Sequence, residues 1–335
     1  MADQAGERMA WYEYPTYTNS SLACARRCLR QYDLRYNLRL VAAGDEEREA
    51  LAVGEAWHKA HHAWAIGENP YAAIAWHSPG PLWVVKLSRL FAAYHWYWKD
   101  QPFKVLEVEK QFHVEYLGKH YEGKRDVVVE LPDGRRGVVE RKTTGDSIAA
   151  ESNYWPKLRM DVQVGLYAVT LDPTPSFILY DVVKKPGIAP KGIAKIEVTR
   201  MLAELKKSGA ARYYGQTFQD SEELRFALEN AQESVELYGA RLTSDIGDRP
   251  EFYFARREVP RTAHDFLTLL ADIDDQADVL KHAELGGMMH RNPDACFTFG
   301  LCEFFGLCSN GIKLDEGDPV PHGFKQREKL HPELD

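Results

Sequence analysis

The chain has 335 residues, of which 44% are hydrophobic and 27% charged, and its formal net charge is −8. This length fits one large domain or two ordinary ones, and the composition is typical of a folded globular protein. The acidic balance argues against a surface that binds nucleic acid everywhere, but basic stretches such as GRRGVVERK leave room for a local basic groove. No apolar run is long enough to span a bilayer and no apolar stretch opens the chain, so we expect a cytoplasmic protein without a membrane partner.

Hydrophobic periodicity divides the chain into helices and strands. Helices are predicted over 21–40, 45–66, 83–98, 157–171, 198–208, 221–243 and 262–284. Strands are predicted over 103–117, in a hairpin over 125–144, over 176–185, at the end of 187–198, and over 251–259. This order predicts one mixed α/β domain over 1–335, with helical additions near 45–100 and 198–243, and not a doubly wound sheet.

The hairpin places acidic and basic side chains together. Its turn centres on Asp133-Gly134, so antiparallel pairing brings Asp126 opposite residue 140 or 141. Glu140 and Lys142 are two apart on one strand and share a face. Two carboxylates suit a hard divalent ion, which polarises a phosphoryl oxygen and acidifies a bound water, and the backbone carbonyl of Arg141 is a further candidate ligand. The alternative is a cross-strand ion pair on a solvated sheet.

Two helices and one loop supply further candidates. His58 lies in GEAWH, and Gln163 and Tyr167 are spaced to share a helical face. Each has an ordinary reading, as a surface or packing side chain. Tyr154 and Trp155 are candidates for stacking on unpaired bases, with surface or lid packing as the alternative.

The cysteines form two groups, Cys24 and Cys28 near the N-terminus and Cys296, Cys302 and Cys308 near the C-terminus. An odd count and the expected reducing compartment argue against a disulfide framework. Zinc sites favour shorter gaps than those between the C-terminal cysteines, and free cysteines also pack as small apolar residues.

Together, these stretches resemble the PD-(D/E)XK nuclease superfamily in its RecB-like branch. That branch includes iron–sulfur CRISPR adaptation nucleases, the nuclease domain of AddAB-type helicase–nucleases and phage-type exonucleases. SSLACARRCLRQY is similar to the opening helix, GEAWH to the segment ending in a metal-binding histidine, and GKRD to the first acidic motif. ERK matches (D/E)-x-K, and QVGLY matches Gln-x-x-x-Tyr. Arg125 and Leu29 depart from the pattern, where relatives commonly have an apolar residue and a proline.

The resemblance implies a restriction-endonuclease-like α/β core, a mixed sheet flanked by helices, with a cysteine segment over 290–312 closing onto the opening helix. It implies that Mg²⁺ or Mn²⁺ is bound by His58, Asp126, Glu140 and the Arg141 carbonyl. The implied catalytic residues are Asp126, Glu140, Lys142, Gln163 and Tyr167.

The resemblance also implies a [4Fe–4S] cluster on Cys28, Cys296, Cys302 and Cys308. Four thiolates are the usual complement for such a cluster. Cys24, one helical turn from Cys28, is the alternative N-terminal ligand, and inert buried cysteines or zinc are the alternatives to the cluster itself.

The activity implied is an exonuclease acting on DNA ends or single-stranded DNA, in recombination, repair or phage replication. A CRISPR-adaptation-type nuclease and a non-catalytic DNA-end-binding subunit are the alternatives. The sequence has no Walker-type phosphate loop, so a helicase or recombinase partner would act in trans.

Overall fold

A mixed sheet organises the molecule. The computed structural model describes residues 16–43, 49–100, 104–171, 175–298, 300–331 and 334. The strands are β1 (Thr16–Thr18), β2 (Leu40–Ala42), β3 (Lys104–Tyr116), β4 (Lys119–Glu130), β5 (Arg136–Thr144), β6 (Phe177–Lys184), β7 (Ala210–Tyr213), β8 (Gln216–Gln219), β9 (Phe254–Glu258) and β10 (Phe324–Gln326).

The helices flank this sheet and extend beyond it. They are α1 (Asn19–Arg27), α2 (Leu29–Tyr32), α3 (Glu49–Ala65), α4 (Pro70–His77), α5 (Pro81–Tyr97), α6 (Tyr154–Leu158), α7 (Val162–Val169), α8 (Lys195–Ser208), α9 (Glu222–Glu229), α10 (Val235–Asp248), α11 (Pro250–Tyr253), α12 (Ala263–Leu285) and α13 (Phe305–Ser309). A π-helical turn (Asp33–Asn37) follows α2, and a 3₁₀ turn (Pro293–Cys296) precedes α13. Within the described ranges, no helix combines the length and apolar character needed to cross a membrane.

Strand β4 is the hub of the sheet. One edge of β4 pairs with the whole of β3, and its other edge pairs with β1 near one end and with β5 near the other. The order continues from β5 through β6 to β9. The β1–β4 and β5–β6 ladders are parallel and the other ladders of this sheet are antiparallel. The sheet is therefore mixed, as the sequence predicts.

Helices pack against apolar residues on both faces of the sheet. Val182 and Val183 are neighbours on β6 and point to opposite faces. Val182 packs in a cluster with residues of α6 and α7, whereas Val183 packs with α3, α5 and α10. Tyr121 of β4 lies in a third cluster with α1, α7 and α12. The predicted fold class, a mixed sheet flanked by helices, is confirmed.

Several predicted boundaries are wrong because local breaks interrupt the apolar period. The helix predicted over 21–40 is interrupted at Cys28, whose backbone is extended, and it gives way to β2. The helix predicted over 157–171 is two helices separated around Asp161. The strand predicted at the end of 187–198 is instead the start of α8. The helix predicted over 221–243 is divided into α9 and α10, and the β7–β8 hairpin was not predicted.

Candidate active site and cysteine cavity

The β4–β5 hairpin brings Asp126 beside Glu140. Val127 pairs with Val139, so the next position outward places Asp126 opposite Glu140, one of the two registers that the turn predicts. Both carboxylates are buried. The backbone N–H of Arg141 donates to Asp126 Oδ2 at 2.8 Å, which fixes one Asp126 oxygen against β5 and leaves Oδ1 directed toward α3.

Helix α3 and strand β3 complete a group of potential metal ligands. His58 Nδ1 lies 3.4 Å from Glu109 Oε1 and 3.7 Å from Asp126 Oδ1. One donor atom from each of these three residues lies within 4.8 Å of the others. Among the described residues, no other group of three or more histidines, cysteines, aspartates or glutamates meets this distance. Glu109 was missed by the sequence analysis, and its only signal was its place in an alternating strand.

Lys142 lies at the centre of a second set of contacts. Its Nζ donates to Glu140 Oε1 at 2.7 Å and to Gln163 Oε1 at 3.0 Å, and it lies 3.3 Å from Asp161 Oδ2. Gln163 Nε2 donates to the hydroxyl of Tyr167. The structure therefore brings four predicted residues, Glu140, Lys142, Gln163 and Tyr167, into one hydrogen-bonded chain.

Asp161 is the second residue that the sequence analysis missed. Its Oδ1 accepts from the backbone N–H of Gln163 at 3.1 Å, which is an N-cap contact at the first turn of α7. Its other oxygen faces Lys142. An aspartate just before the apolar run VQVGLYAV is a helix-start signal that could have located it.

The electrostatics of the group follow from buried charges of both signs. Burial and the neighbouring Asp126 charge raise the pKa of Glu140 to about 8. Burial lowers the pKa of His58, but the Asp126 and Glu109 carboxylates outweigh burial and raise it to about 9. Burial also lowers the pKa of Lys142, but the Glu140 and Asp161 carboxylates hold it above its usual value. The amine of Lys142 therefore stays charged. At Glu140, burial and the Asp126 charge outweigh the single positive charge of Lys142.

These residues fit a divalent metal ion. Glu140 Oε2 is buried and has no hydrogen-bond partner among the described residues. A buried carboxylate oxygen without a partner is costly, and an adjacent cation removes that cost. Three nearby carboxylates and one imidazole form a donor set that suits Mg²⁺ or Mn²⁺.

The backbone and the side chain of Arg141 have different surroundings. Its backbone N–H donates to Asp126. Toward β6, Arg141 pairs in register with Asp181, and Asp181 Oδ2 lies 2.9 Å from Arg256 Nη2. Nε and Nη1 of Arg141 are buried without hydrogen-bond partners among the described residues. The Arg141 carbonyl as a metal ligand stays a prediction.

Tyr154 and Trp155 are not placed to stack on bases. Both are buried in the cluster beneath α6 and α7, and the Trp155 indole N–H donates to the carbonyls of Ile148 and Ala149. Of the two interpretations, packing agrees with the structure, because residues of β5 and β6 cover both rings.

Four cysteines line a separate cavity of about 1010 Å³. They are Cys28, Cys296, Cys302 and Cys308. Burial raises the pKa of the Cys302 and Cys308 thiols, and the other lining cysteines add to that rise. Cys24 is not part of the lining, since it is buried in the cluster formed by α1, α7 and α12.

The break between α1 and α2 presents Cys28 to this cavity. The extended backbone at Cys28 ends α1, and its Sγ accepts from the backbone N–H of Asn292 at 3.3 Å. Asn292 Nδ2 also donates to the Arg27 carbonyl at 2.8 Å. The segment that precedes Cys296 is thereby tied to the start of α2, and the opening helices and the C-terminal cysteine segment meet at the cavity.

Comparison with known proteins agrees with this geometry. A sequence model of the PD-(D/E)XK nuclease superfamily matches residues 16–308. No curated protein sequence matches the chain. One solved structure, described as "Crystal structure of SSO0001", shares 13% identity over 47% of this chain and 70% of that chain, with a TM-score of 0.22, and adds nothing to the assignment. The chain belongs to the PD-(D/E)XK nuclease superfamily.

Proposed function

We propose that this chain is a Mg²⁺- or Mn²⁺-dependent deoxyribonuclease, an exonuclease that acts on DNA ends or single-stranded DNA. The observation that carries the nuclease proposal is the convergence of His58, Glu109, Asp126 and Glu140 beside Lys142. The superfamily supports phosphodiester hydrolysis, and the choice of DNA ends rests on the resemblance to RecB-like and phage-type exonucleases. A helicase or recombinase acting in trans is the partner that this substrate suggests.

The residues of the site divide the work. When bound, a divalent ion supplies Lewis acidity and lowers the pKa of water. His58, Glu109, Asp126 and Glu140 would hold it. Lys142 is fixed by acceptors on two sides and keeps its charge, so it can orient the attacking water and stabilise charge that develops on the phosphate. Gln163 positions Lys142, and Tyr167 in turn holds the Gln163 amide.

A nuclease assay on end-labelled DNA tests this proposal. The substrates are single- and double-stranded, with free and blocked ends of each polarity, in Mn²⁺, in Mg²⁺ and in chelator. We expect metal-dependent loss of nucleotides from free single-stranded ends. Glu140→Ala should abolish cleavage, whereas Glu130→Ala, at a hairpin position that contacts Arg136, should not. Full activity of Glu140→Ala would refute the assignment.

We further propose that Cys28, Cys296, Cys302 and Cys308 hold a [4Fe–4S] cluster. The support is that these four thiols, and not Cys24, line one cavity. No three of the described cysteine sulfurs lie within 4.8 Å of one another, which suits thiolates on different irons better than thiolates sharing one tetrahedral zinc ion. A bound cluster would fasten the C-terminal segment to α2.

The pair Cys302→Ser and Cys24→Ser tests the cluster. Anaerobically purified protein should be brown and hold about four irons per chain. Cys302→Ser should lose iron and visible absorption, and Cys24→Ser should keep both. Folded, colourless and iron-free unchanged protein would remove the cluster from the proposal and leave the nuclease assignment untouched.

A further inference from the structure

The β3–β4 hairpin carries a second group of histidines and acids. His113 Nδ1 lies 3.0 Å from Glu122 Oε1, and His113 Nε2 lies 3.1 Å from His120 Nδ1. The register pairs His113 with Glu122 and Glu115 with His120. Because residues two apart on a strand share a face, these four side chains occupy neighbouring positions on one face of the ladder.

This face is the one that carries the candidate catalytic group. Lys124, between Glu122 and Asp126 on β4, reaches across to Glu109 at 3.3 Å from Oε2. His113 is four residues beyond Glu109 on β3, a distance of about 13 Å along the strand. The two groups are therefore separate sites on one surface.

The contacts of His113 set its tautomer. A carboxylate accepts a hydrogen bond, so Glu122 holds the proton on His113 Nδ1 and leaves a lone pair on Nε2. A carboxylate that orients the far nitrogen of a histidine is the usual second partner of a metal-binding imidazole. In this tautomer His113 Nε2 accepts a hydrogen bond from His120 Nδ1, so a bound ion would displace that proton to solvent and take both nitrogens as ligands.

The spacing of the two nitrogens suits a shared ion. Nitrogens 3.1 Å apart, each at about 2.1 Å from a metal, subtend an angle of about 95° at the metal. That angle is close to the right angle between adjacent ligands of an octahedral ion. The His120 ring is buried and the His113 side chain is 29% exposed, so one ligand is rigid while the site stays open to solvent.

We propose that His113 and His120 bind a divalent transition-metal ion of the Ni²⁺, Cu²⁺ or Zn²⁺ class, with Glu122 orienting His113. Imidazole nitrogens select these ions over Mg²⁺, which prefers oxygen. The bound ion ties β3 to β4 and adds positive charge to the face that carries the catalytic group. This proposal does not depend on the proposed nuclease activity.

Calorimetric titration with Ni²⁺ tests the site in the unchanged chain, whose iron content is measured first. The unchanged protein should bind one Ni²⁺ that Asp126→Asn retains and that His113→Asn and His120→Asn lose. Glu122→Gln should weaken the binding about 10- to 100-fold, as expected for the partner of a ligating histidine. His264→Asn, which removes an exposed histidine at the start of α12, is the matched control and should bind as the unchanged protein does.

A measurement without substitution guards against variants that fold poorly. In NMR spectra of the unchanged protein, substoichiometric Cu²⁺ should broaden the imidazole signals of His113 and His120 before those of His264. Equal broadening of all three, or Ni²⁺ binding that is the same in His113→Asn and His120→Asn as in the unchanged protein, overturns the proposal.

Discussion

Glu109 lies opposite Asp126 in the β3–β4 ladder, between the registered pairs Val108–Val127 and Lys110–Arg125. Since Asp126 lies opposite Glu140 on its other side, three adjacent strands each contribute one carboxylate to a single row. The backbone of Glu109 has a φ of 48°, which is uncommon for a residue other than glycine and costs about 1–3 kcal/mol. The ladder holds this conformation at the point where the carboxylate meets His58.

Glu109→Gln tests whether the third strand contributes a metal ligand. Burial raises the pKa of Glu109, but the His58 ring and Lys124 lower it below its usual value, so the group is an anion at neutral pH. An amide keeps the shape and removes the charge. We expect the Mn²⁺ concentration for half-maximal cleavage to rise at least about tenfold. Glu130→Gln, on the same hairpin, should leave it unchanged, and an unchanged metal requirement in Glu109→Gln would exclude Glu109 as a ligand.

Lys142→Met removes the charged amine from the centre of the site while keeping most of its length. The amine stabilises charge that develops in the transition state, and loss of one such donor lowers the rate constant about 10²- to 10³-fold. Metal binding should be retained, because Lys142 is not a ligand. The measurement is the cleavage rate at saturating Mn²⁺, together with calorimetric Mn²⁺ affinity. A rate close to that of the unchanged protein would assign Lys142 a purely structural role.

Asp161 caps helix α7 and also contacts the amine of Lys142, and two substitutions separate these roles. Asparagine also caps helices well, so Asp161→Asn keeps the contact to Gln163 N–H and removes the ionic contact to Lys142. We expect Asp161→Asn to lower activity with little change in stability. Asp161→Ala should in addition lose about 1 kcal/mol of unfolding free energy. Chemical denaturation and cleavage rates of both variants check this, and equal stability of the two would show that the cap contributes nothing.

The sequence predicts the part of the site whose geometry is determined within one hairpin. Asp126, Glu140 and Lys142 lie on one hairpin, where turn chemistry and strand alternation determine which side chains meet. Glu109 could not be placed this way, because its position depends on the pairing of a long edge strand whose register shifts between Val105 and Glu107. Asp161 was hidden by a continuous apolar pattern that the chain in fact interrupts.

The positions of Trp155, Cys24 and Cys28 depend on tertiary packing. The burial of Trp155 depends on how α6 rests on β6, a contact that no local pattern encodes. The choice between Cys24 and Cys28 depended on a one-residue interruption of the opening helix, which turns Cys28 toward the cavity and leaves Cys24 in the core. The register of the resemblance points to Cys28, which is the N-terminal cysteine that lines the cavity, and its role as a cluster ligand stays a prediction.

Buried His61 and half-buried His95, between α3 and α5, make stability depend on pH. His95 packs against Trp64, Phe91 and Tyr94, and burial, aided by the nearby guanidinium groups, lowers its pKa to about 4. His61, beneath it, also has a pKa well below 6.5 because of burial. The unfolded chain therefore binds more protons than the folded chain between about pH 6.5 and pH 4. Stability from this packing is fully present above pH 6.5 and is lost as the pH falls through that interval.

His95→Gln should flatten this dependence, because the amide does not titrate. For the unchanged protein, we expect His95 to account for about 1 kcal/mol of the unfolding free energy lost between pH 7 and pH 5, a figure reduced for the partial exposure of the ring. The measurement is urea denaturation at both pH values, with His264→Gln as an exposed control that should keep the full loss. If His95→Gln loses as much stability as the control on acidification, His95 is not the group whose protonation opposes folding.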